Sequence, residues 1–258
     1  MSDRIKIAIL GASGRMGQIL SRQFAADDRF DLVARVDARV IDDKLQPAMI
    51  SSIADAPQFD VLVDFSAPAA TAAALESMRS RRAAWIVATT GISDDVRAQI
   101  MALSAQMPIF FASNTSLGVA LMQRLCKLAT AALLDWDTEI VEVHHRNKVD
   151  APSGTALTLA KAIAGVHEAA GFKADIVTER ASRREPRPDH EIGVSSVRGG
   201  TVAGEHTVSW YGAHEQLQIH HVAESREIFA NGARRIAAWI AAKPAGLYDM
   251  QGMLDDIL

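Results

Sequence analysis

The sequence predicts an α/β fold in which an N-terminal, doubly wound parallel sheet is joined to a second α+β domain built on a mixed sheet. Apolar runs typical of strands alternate with helical patterns up to residue 115, and a glycine-rich turn follows the first run. Beyond residue 116, three runs of alternating polar and apolar residues predict a separate sheet. We therefore expect a Rossmann-like domain over 1–115, completed by a C-terminal helical segment over 229–258, and a second domain over 116–228.

The composition is that of a globular protein with a small-molecule partner. The chain has 258 residues, of which 49% are hydrophobic and 22% charged, with a formal net charge of -4. Its basic residues are spread among acidic ones, so neither nucleic acid nor an anionic membrane is an expected partner. We predict a small-molecule ligand instead.

The single cysteine, Cys126, lies in an apolar helical pattern. This excludes a disulfide framework and predicts a buried thiol in a reducing compartment. The apolar run at residues 5–10 is too short for a signal or membrane segment. The expected location is the cytoplasm.

The first strand, turn and helix carry the pattern of a dinucleotide site. IKIAIL (5–10) is followed by GASGRMG (11–17), a helical pattern and a second strand, DLVARV (31–36), which ends at Asp37. Small residues let backbone amides approach a pyrophosphate, and an acid after the second strand binds ribose hydroxyls. The glycines alone are equally compatible with a plain tight turn, but their pairing with Asp37 favours a nucleotide.

Asp37 also predicts cofactor choice, because a carboxylate accepts hydrogen bonds from ribose and repels a 2′-phosphate. Arg35 and Arg39 flank it and are expected to offset that repulsion. We therefore expect use of both NADH and NADPH, with NADH at least as good.

Three further strand-like runs complete the first sheet: residues 59–66, 85–91 and 108–114. Helices are predicted from Pro68 to about residue 80 and from near Ser93. The polar turns at 89–91 and 113–116 follow the strands at the edge where such sheets bind ligands. For each turn alone, a ligand contact and a simple turn are both reasonable interpretations.

The second domain is predicted to contain a helix (118–134), a strand (139–143), a helix to about 170 and a charged loop (182–193). Strands follow at 194–199, 206–212 and 216–222, and an amphipathic helix at 229–243 returns to the first domain. One face of this small sheet is apolar, and we expect it to be buried by the domain's own helices and by a second subunit.

The densest chemistry lies in HHRNKVDAPSGTA (144–156), between a strand and a helix. Pro152 is expected near the first helical turn, and Asp150 or Ser153 can cap it. The amides of residues 153–155 would then meet an anion, beside Lys148 and two imidazoles. An ordinary capped helix with surface histidines is the alternative.

No metal site is predicted. The pairs His144–His145 and His220–His221 are adjacent in sequence, so within a strand their side chains would point to opposite faces, and no Cys or carboxylate stands at ligand spacing. His206 fits either a substrate-facing position or a plain strand position.

The chain resembles the dihydrodipicolinate (4-hydroxy-tetrahydrodipicolinate) reductase family over its whole length. EVHHRNKVDAPSGTA is similar to the family motif E-x-H-H-R-H-K-V-D-A-P-S-G-T-A, and GASGRMG, VDFS, ATTG, SNTSLGV, GEHTV, FANGA and GLYDM are further similar pieces. The resemblance implies NAD(P)H-dependent reduction of a cyclic dicarboxylate with loss of water, in the diaminopimelate route to lysine. It also implies a homotetramer formed by the mixed-sheet domain.

The resemblance also assigns roles to residues. His144 would be the acid–base histidine and Lys148 the proton donor, and His145, Gly154 and Thr155 would hold the substrate. Contacts to the nicotinamide dinucleotide would come from Gly11, Ala12, Ser13, Gly14, Arg15, Met16, Asp37, Ala88, Thr89, Thr90, Ala112, Ser113, Asn114 and Thr115.

Two positions depart from the family pattern: Asn147 replaces a common histidine, and Thr115 often corresponds to a bulkier apolar residue. Two other functions agree with part of the sequence. An aspartate dehydrogenase would share the N-terminal features but lack the motif at 144–156. A dinucleotide-binding regulator without catalysis would not need His144 and Lys148.

Overall fold

A computed structural model describes residues 4–258. The strands are β1 (Ile5–Leu10), β2 (Phe30–Val36), β3 (Met49–Ile50), β4 (Val61–Asp64), β5 (Ala84–Val87), β6 (Pro108–Phe111), β7 (Asp137–His144), β8 (Asp175–Val177), β9 (Glu191–Arg198), β10 (Gly204–Tyr211), β11 (Gln216–Ala223) and β12 (Gly246–Tyr248). The helices are α1 (Arg15–Ala25), α2 (Pro68–Ser80), α3 (Asp94–Leu103), α4 (Leu117–Ala132), α5 (Gly154–Ala169), α6 (Glu227–Ile240) and α7 (Met250–Ile257), with a short 3₁₀ helix at Ile53–Asp55.

The described chain forms two compact units. The first runs to Ser116 and resumes over Glu227–Leu258, whereas the second is Leu117–Arg226. The last two helices therefore belong to the unit that contains the N-terminal strands.

The first unit is built on a seven-stranded sheet of order β12-β6-β5-β4-β1-β2-β3, in which all paired strands are parallel. β4 and β5 are buried along their whole length, as expected for strands covered on both faces. Residues of α2 and α3 join one core cluster, and α6 packs against β4, β5 and β6. The predicted doubly wound sheet is confirmed, and its strands end at a common carboxyl edge.

The second unit is built on a five-stranded mixed sheet of order β11-β10-β7-β9-β8. β10 is antiparallel to β7 and β11, whereas β7, β9 and β8 run parallel. Ile140, Leu159 and Trp210 belong to its core, which α4 and α5 share with the sheet. The mixed sheet predicted from the alternating runs is confirmed.

Several boundaries differ from the predictions. β4 ends at Asp64 and β6 ends at Phe111, so the polar residues that follow each strand form turns instead of extending it. The predicted loop at 182–193 overlaps β9, which begins at Glu191. The short strands β3, β8 and β12 were not predicted, because two or three residues are too few to show a period.

Cys126 is fully buried, and burial raises the pKa of its thiol to about 12, so the prediction of a buried thiol is confirmed. Within residues 4–258, no helix combines the length and apolar character that crossing a membrane requires.

Candidate active site

The glycine turn after β1 is shaped by close backbone contacts. Gly11 has a φ of 86°, and a Cβ there would lie 2.7 Å from the Cα of Ser66. A Cβ at Gly17 would lie 2.1 Å from the Gly11 carbonyl oxygen. Only glycine fits both positions, because the turn and the start of α1 are pressed against each other and against the end of β4.

The start of α1 fits an anion such as a pyrophosphate. Gly14 is the N-cap and supplies no side-chain cap, and the first turn contains no acidic residue. The leading amides of a helix lack intrahelical acceptors and carry partial positive charge. Arg15 is exposed and Met16 half-buried beside them. These residues fit the dinucleotide that the sequence predicts.

Asp37 lies beside this turn, as its place after β2 predicts. Its carboxylate accepts hydrogen bonds from the Ser13 amide at 3.0 Å and the Arg39 amide at 2.9 Å. The prediction that Arg35 helps to offset its charge is wrong. Arg35 is fully buried, forms an ion pair with Asp43 and donates to the Leu45 carbonyl at 2.8 Å, so of the two flanking arginines it is Arg39 that is exposed.

The turn after β5 is tied to a buried carboxylate. Thr89 donates to Asp64 at 2.9 Å, Thr71 donates at 2.7 Å and Ser66 at 2.6 Å. Burial raises the pKa of Asp64, and the hydrogen bonds from these three residues oppose that rise. The Thr89 hydroxyl therefore supports the turn, whereas Thr90 is exposed at the same edge and Ala88 is buried.

The turn after β6 is anchored to the C-terminal part of the same unit. Thr115 is buried and donates to the Phe229 carbonyl at 2.7 Å, and the Asn114 side chain accepts from the Ser116 amide at 2.9 Å. Ser113 is exposed and Ala112 buried. The predicted cofactor residues of the first unit thus lie in turns and at the start of α1, at one edge of one sheet.

In the second unit, the site is organised around Glu142, which is completely buried on β7. Its carboxylate lies 2.5 Å from Nδ1 of His144, and it accepts two hydrogen bonds from Arg198 at 2.7 and 2.9 Å. Arg198 lies opposite His144 in the register between β7 and β9. Burial alone would raise the pKa of Glu142, but hydrogen bonds from Arg198, Ser196, His144 and the Ser153 amide lower it to about 2.

The start of α5 confirms one predicted cap and corrects an expectation about its amides. Ser153 is the N-cap and accepts from the Ala156 amide at 3.2 Å, whereas Asp150 does not cap. The Ser153 amide is not available to a ligand, since it donates to Glu142 at 3.1 Å. Gly154 and Thr155 begin the helix, and a Cβ on Gly154 would meet open space.

The connection between β7 and α5 brings Lys148 back toward the site. The Lys148 amide donates to the His145 carbonyl at 3.1 Å, which closes a turn through Arg146 and Asn147. Its ammonium group forms an ion pair with Asp150 at 2.9 Å. His145 is half-buried at the start of this turn.

His206 belongs to the same cluster. Its Nε2 lies 3.1 Å from the Ser153 hydroxyl, and its ring centroid lies 5.3 Å from that of His144. Burial, followed by the charge of His144, lowers the pKa of His206 to about 4, so this ring is neutral at pH 7. Its Nδ1 has no hydrogen-bond partner within residues 4–258.

The described residues contain no group of three or more His, Cys, Asp or Glu arranged to hold a metal ion.

Sequence reasoning did not assign roles to Glu142 and Arg198. The signal for Glu142 was its position two residues before His144, which places both side chains on one face of a strand. Arg198 had no local signal, because its partner is 56 residues away in the chain.

Comparison with known families gives matches to both parts of the chain. The model for the dihydrodipicolinate reductase N-terminus matches residues 5–115, and the model for the C-terminus of the same enzyme matches residues 118–254. The chain belongs to the dihydrodipicolinate reductase family. The resemblance noted in the sequence is therefore confirmed, as is the class of nicotinamide-dependent oxidoreductase.

Individual members of the dihydrodipicolinate reductase family are similar along nearly the full chain. A 4-hydroxy-tetrahydrodipicolinate reductase of Wolinella succinogenes is 40% identical over 96% of this chain and 98% of its own length. One from Chromohalobacter salexigens is also 40% identical, with the same coverage. A dipicolinate-bound dihydrodipicolinate reductase from Paenisporosarcina sp. superposes with a TM-score of 0.76 at 26% identity, over 99% of this chain and 100% of the other.

More distant structures share only the fold with this family member. Aspartate dehydrogenase of Thermotoga maritima superposes with a TM-score of 0.50 at 12% identity, over 94% of this chain and 99% of the other. At this identity the match carries no argument for aspartate dehydrogenase activity.

Proposed function

We propose that this chain reduces 4-hydroxy-tetrahydrodipicolinate to tetrahydrodipicolinate with loss of water, as a cytoplasmic step in diaminopimelate and lysine biosynthesis. Family membership over nearly the whole chain supports the reaction. The observation that carries the residue assignment is the cluster in the second unit, where an imidazole, an ammonium group and a helix N-terminus belong to one connection. Each of these groups has a use in the reduction of a cyclic imine dicarboxylate.

The substrate's two carboxylates need cations or amide donors. The N-terminus of α5 supplies the amides of Gly154 and Thr155 together with the positive end of the helix dipole. Lys148 supplies a positive charge on the same connection, and His145 a further polar group. We assign these four residues to substrate binding.

The reaction also requires proton transfer. Water leaves from C4 of the ring, and the nicotinamide supplies the hydride that C4 receives. Hydride addition leaves an enamine-like electron pair on the conjugated system. This electron pair must then be protonated by an enzyme group of suitable acidity. We assign His144 as the acid–base group and Lys148 as the cation that stabilises or protonates the resulting enamine.

The dinucleotide is assigned to the carboxyl edge of the first sheet. The proposed contacts are the residues of the glycine turn and of the three turns that follow β2, β5 and β6. Close packing at Gly11 and the uncapped start of α1 support this assignment. The residues are Gly11, Ala12, Ser13, Gly14, Arg15, Met16, Asp37, Ala88, Thr89, Thr90, Ala112, Ser113, Asn114 and Thr115.

The reductase assignment is tested by turnover. Oxidation of NADH or NADPH is followed optically while the preceding synthase generates the substrate in place. The proposal expects activity with at least one cofactor. Absence of turnover with both would refute the proposal and favour a dinucleotide-binding protein without catalysis.

Cofactor choice gives a separate prediction. Because Asp37 repels a 2′-phosphate and just one of its two flanking arginines, Arg39, is exposed, kcat/KM with NADH should equal or exceed that with NADPH. A preference for NADPH beyond about tenfold, roughly 1.4 kcal/mol, would contradict this. Arg39→Ala should lower kcat/KM for NADPH alone, whereas Arg82→Ala, at another exposed arginine of this unit, should change neither value.

We also propose a homotetramer that uses the open face of the second sheet. Val141, Val197 and Val222 are 40%, 46% and 46% exposed. Val141 of β7 pairs with Thr207 of β10, and Val222 of β11 pairs with Glu205 of β10. Both valines therefore lie on the same face of the sheet, opposite the core. Burying such valines against another subunit stabilises association by removing apolar surface from water.

Sedimentation at micromolar concentration should therefore give a tetramer for the native chain and smaller species for Val141→Lys. The control is Leu128→Lys, because Leu128 is 64% exposed on α4, away from the open face of the sheet. A monomeric native chain would exclude this assembly. An unchanged tetramer in Val141→Lys would show that another surface forms it.

A further inference from the structure

The two ring nitrogens of His144 have different surroundings. Nδ1 lies 2.5 Å from the Glu142 carboxylate. Nε2 faces Gly204 of β10, where a Cβ would lie 2.9 Å from it. Within residues 4–258 the structure gives Nε2 no hydrogen-bond partner, and the His144 side chain keeps 12% of its surface exposed.

We propose that Glu142 and Gly204 are positioning residues for His144: Glu142 keeps a proton on Nδ1, and Gly204 leaves Nε2 uncovered as the nitrogen that transfers a proton to the substrate. This inference rests on the proposed function, since it needs His144 as the acid–base group. Lys148 then acts as the cation that stabilises the enamine, and Nε2–H of His144 gives its proton to the ring carbon, so that the imidazole becomes neutral and keeps its proton on Nδ1. A proton from solvent later returns to Nε2.

Glu142 suits this role because its carboxylate is charged and is held in one orientation by hydrogen bonds. Its pKa of about 2 keeps it ionised at neutral pH. Arg198 binds it with two hydrogen bonds, and the Ser153 amide provides another at 3.1 Å. A carboxylate held in this way fixes the orientation and the tautomer of an adjacent imidazole.

The surrounding charges come from several elements. Glu142 lies on β7, Arg198 on β9, His206 on β10 and Lys148 on the connection to α5. Arg198 also donates to the Asp150 carbonyl at 2.7 Å, so the pair with Glu142 braces the connection as well. If the ion pair between Glu142 and Arg198 had only a structural role, it would stabilise the connection without affecting proton transfer.

Glu142→Gln separates these two roles. We expect kcat to fall by about 10- to 100-fold, less than for loss of the imidazole itself. KM for the substrate should change less than kcat, because the groups assigned to substrate binding remain while the imidazole loses the carboxylate that orients it. The affinity for NADH should not change. Glu139→Gln is the matched control, since Glu139 lies on the same strand and accepts two hydrogen bonds from Arg180.

Gly204→Ala tests the other nitrogen and leaves Glu142, Arg198 and Ser153 in place. The added methyl group would cover Nε2, so kcat should fall by about tenfold or more with NADH binding retained. Gly199→Ala in the same β9–β10 connection is the control, because a Cβ there would meet nothing within 4 Å. Spectra of ¹⁵N-labelled histidine should show the proton on Nδ1 in the native chain.

The outcomes are distinct. A native chain without reductase activity would refute the proposed function. If the native chain is active and folded Glu142→Gln keeps its kcat, the positioning role is wrong. Should Glu142→Gln fail to fold, Gly204→Ala decides: an unchanged kcat in that variant would overturn the proposal, and a lowered kcat with NADH binding intact would support it.

Discussion

Replacing His144 with glutamine is expected to lower kcat by about 10²- to 10⁴-fold, equivalent to roughly 3 to 5 kcal/mol of activation free energy. Glutamine is polar and similar in reach, and it can still donate a hydrogen bond to Glu142, but it cannot exchange a proton near neutral pH. Because the change lies in the second unit, NADH binding by the first unit should persist. Steady-state kinetics and fluorescence titration with NADH measure the two effects.

The control for this variant is His214→Gln, since His214 is exposed in the turn between β10 and β11. It should retain native kinetics. Thermal unfolding of both variants shows whether the fold is preserved. If kcat of folded His144→Gln stays near the native value, His144 is not the acid–base group and the motif is only a structural connection.

Replacing Lys148 with methionine should also lower kcat by about 10²- to 10⁴-fold, because the variant lacks the positive charge that stabilises or protonates the enamine. Methionine preserves much of the side-chain volume. Loss of the ion pair with Asp150 should cost about 0 to 1 kcal/mol of folding stability, as usual for a pair at the surface. Single-turnover kinetics at saturating substrate separate the chemical step from weaker binding.

Lys173→Met is the matched control. Lys173 forms an ion pair with Asp175 at 3.0 Å, with the same two-residue spacing as Lys148 and Asp150 and in the same unit. It should leave kcat and KM unchanged. A rise in KM alone for Lys148→Met would limit Lys148 to holding a carboxylate and contradict its role in the chemical step.

The sequence determined the architecture and the location of both candidate sites. Alternating apolar runs and helical patterns predict parallel strands whose carboxyl ends share one edge, and this placed the glycine turn and Asp37 together. The motif at 144–156 likewise predicted its own strand, connection and helix. These features follow from residues close together in the chain, whose periodicity reports which face is buried.

Only the tertiary structure decided how individual polar groups are used. Arg35 lies two residues before Asp37, so strand alternation would place both side chains on one face. The Arg35 guanidinium is instead buried in an ion pair with Asp43. The hydroxyl of Thr89 is bound to Asp64, and the amide of Ser153 to Glu142.

The reason is that these partners depend on which elements become neighbours in the assembled fold, whereas the pattern within one strand or helix reports only its own buried face. Glu142 and Arg198 are 56 residues apart in the chain, and Ser153 and His206 are 53 apart. Glu142 and Arg198 meet because β7 pairs with β9, and Ser153 and His206 meet because the start of α5 lies beside β10. The environment of His144 is therefore a property of the assembled sheet.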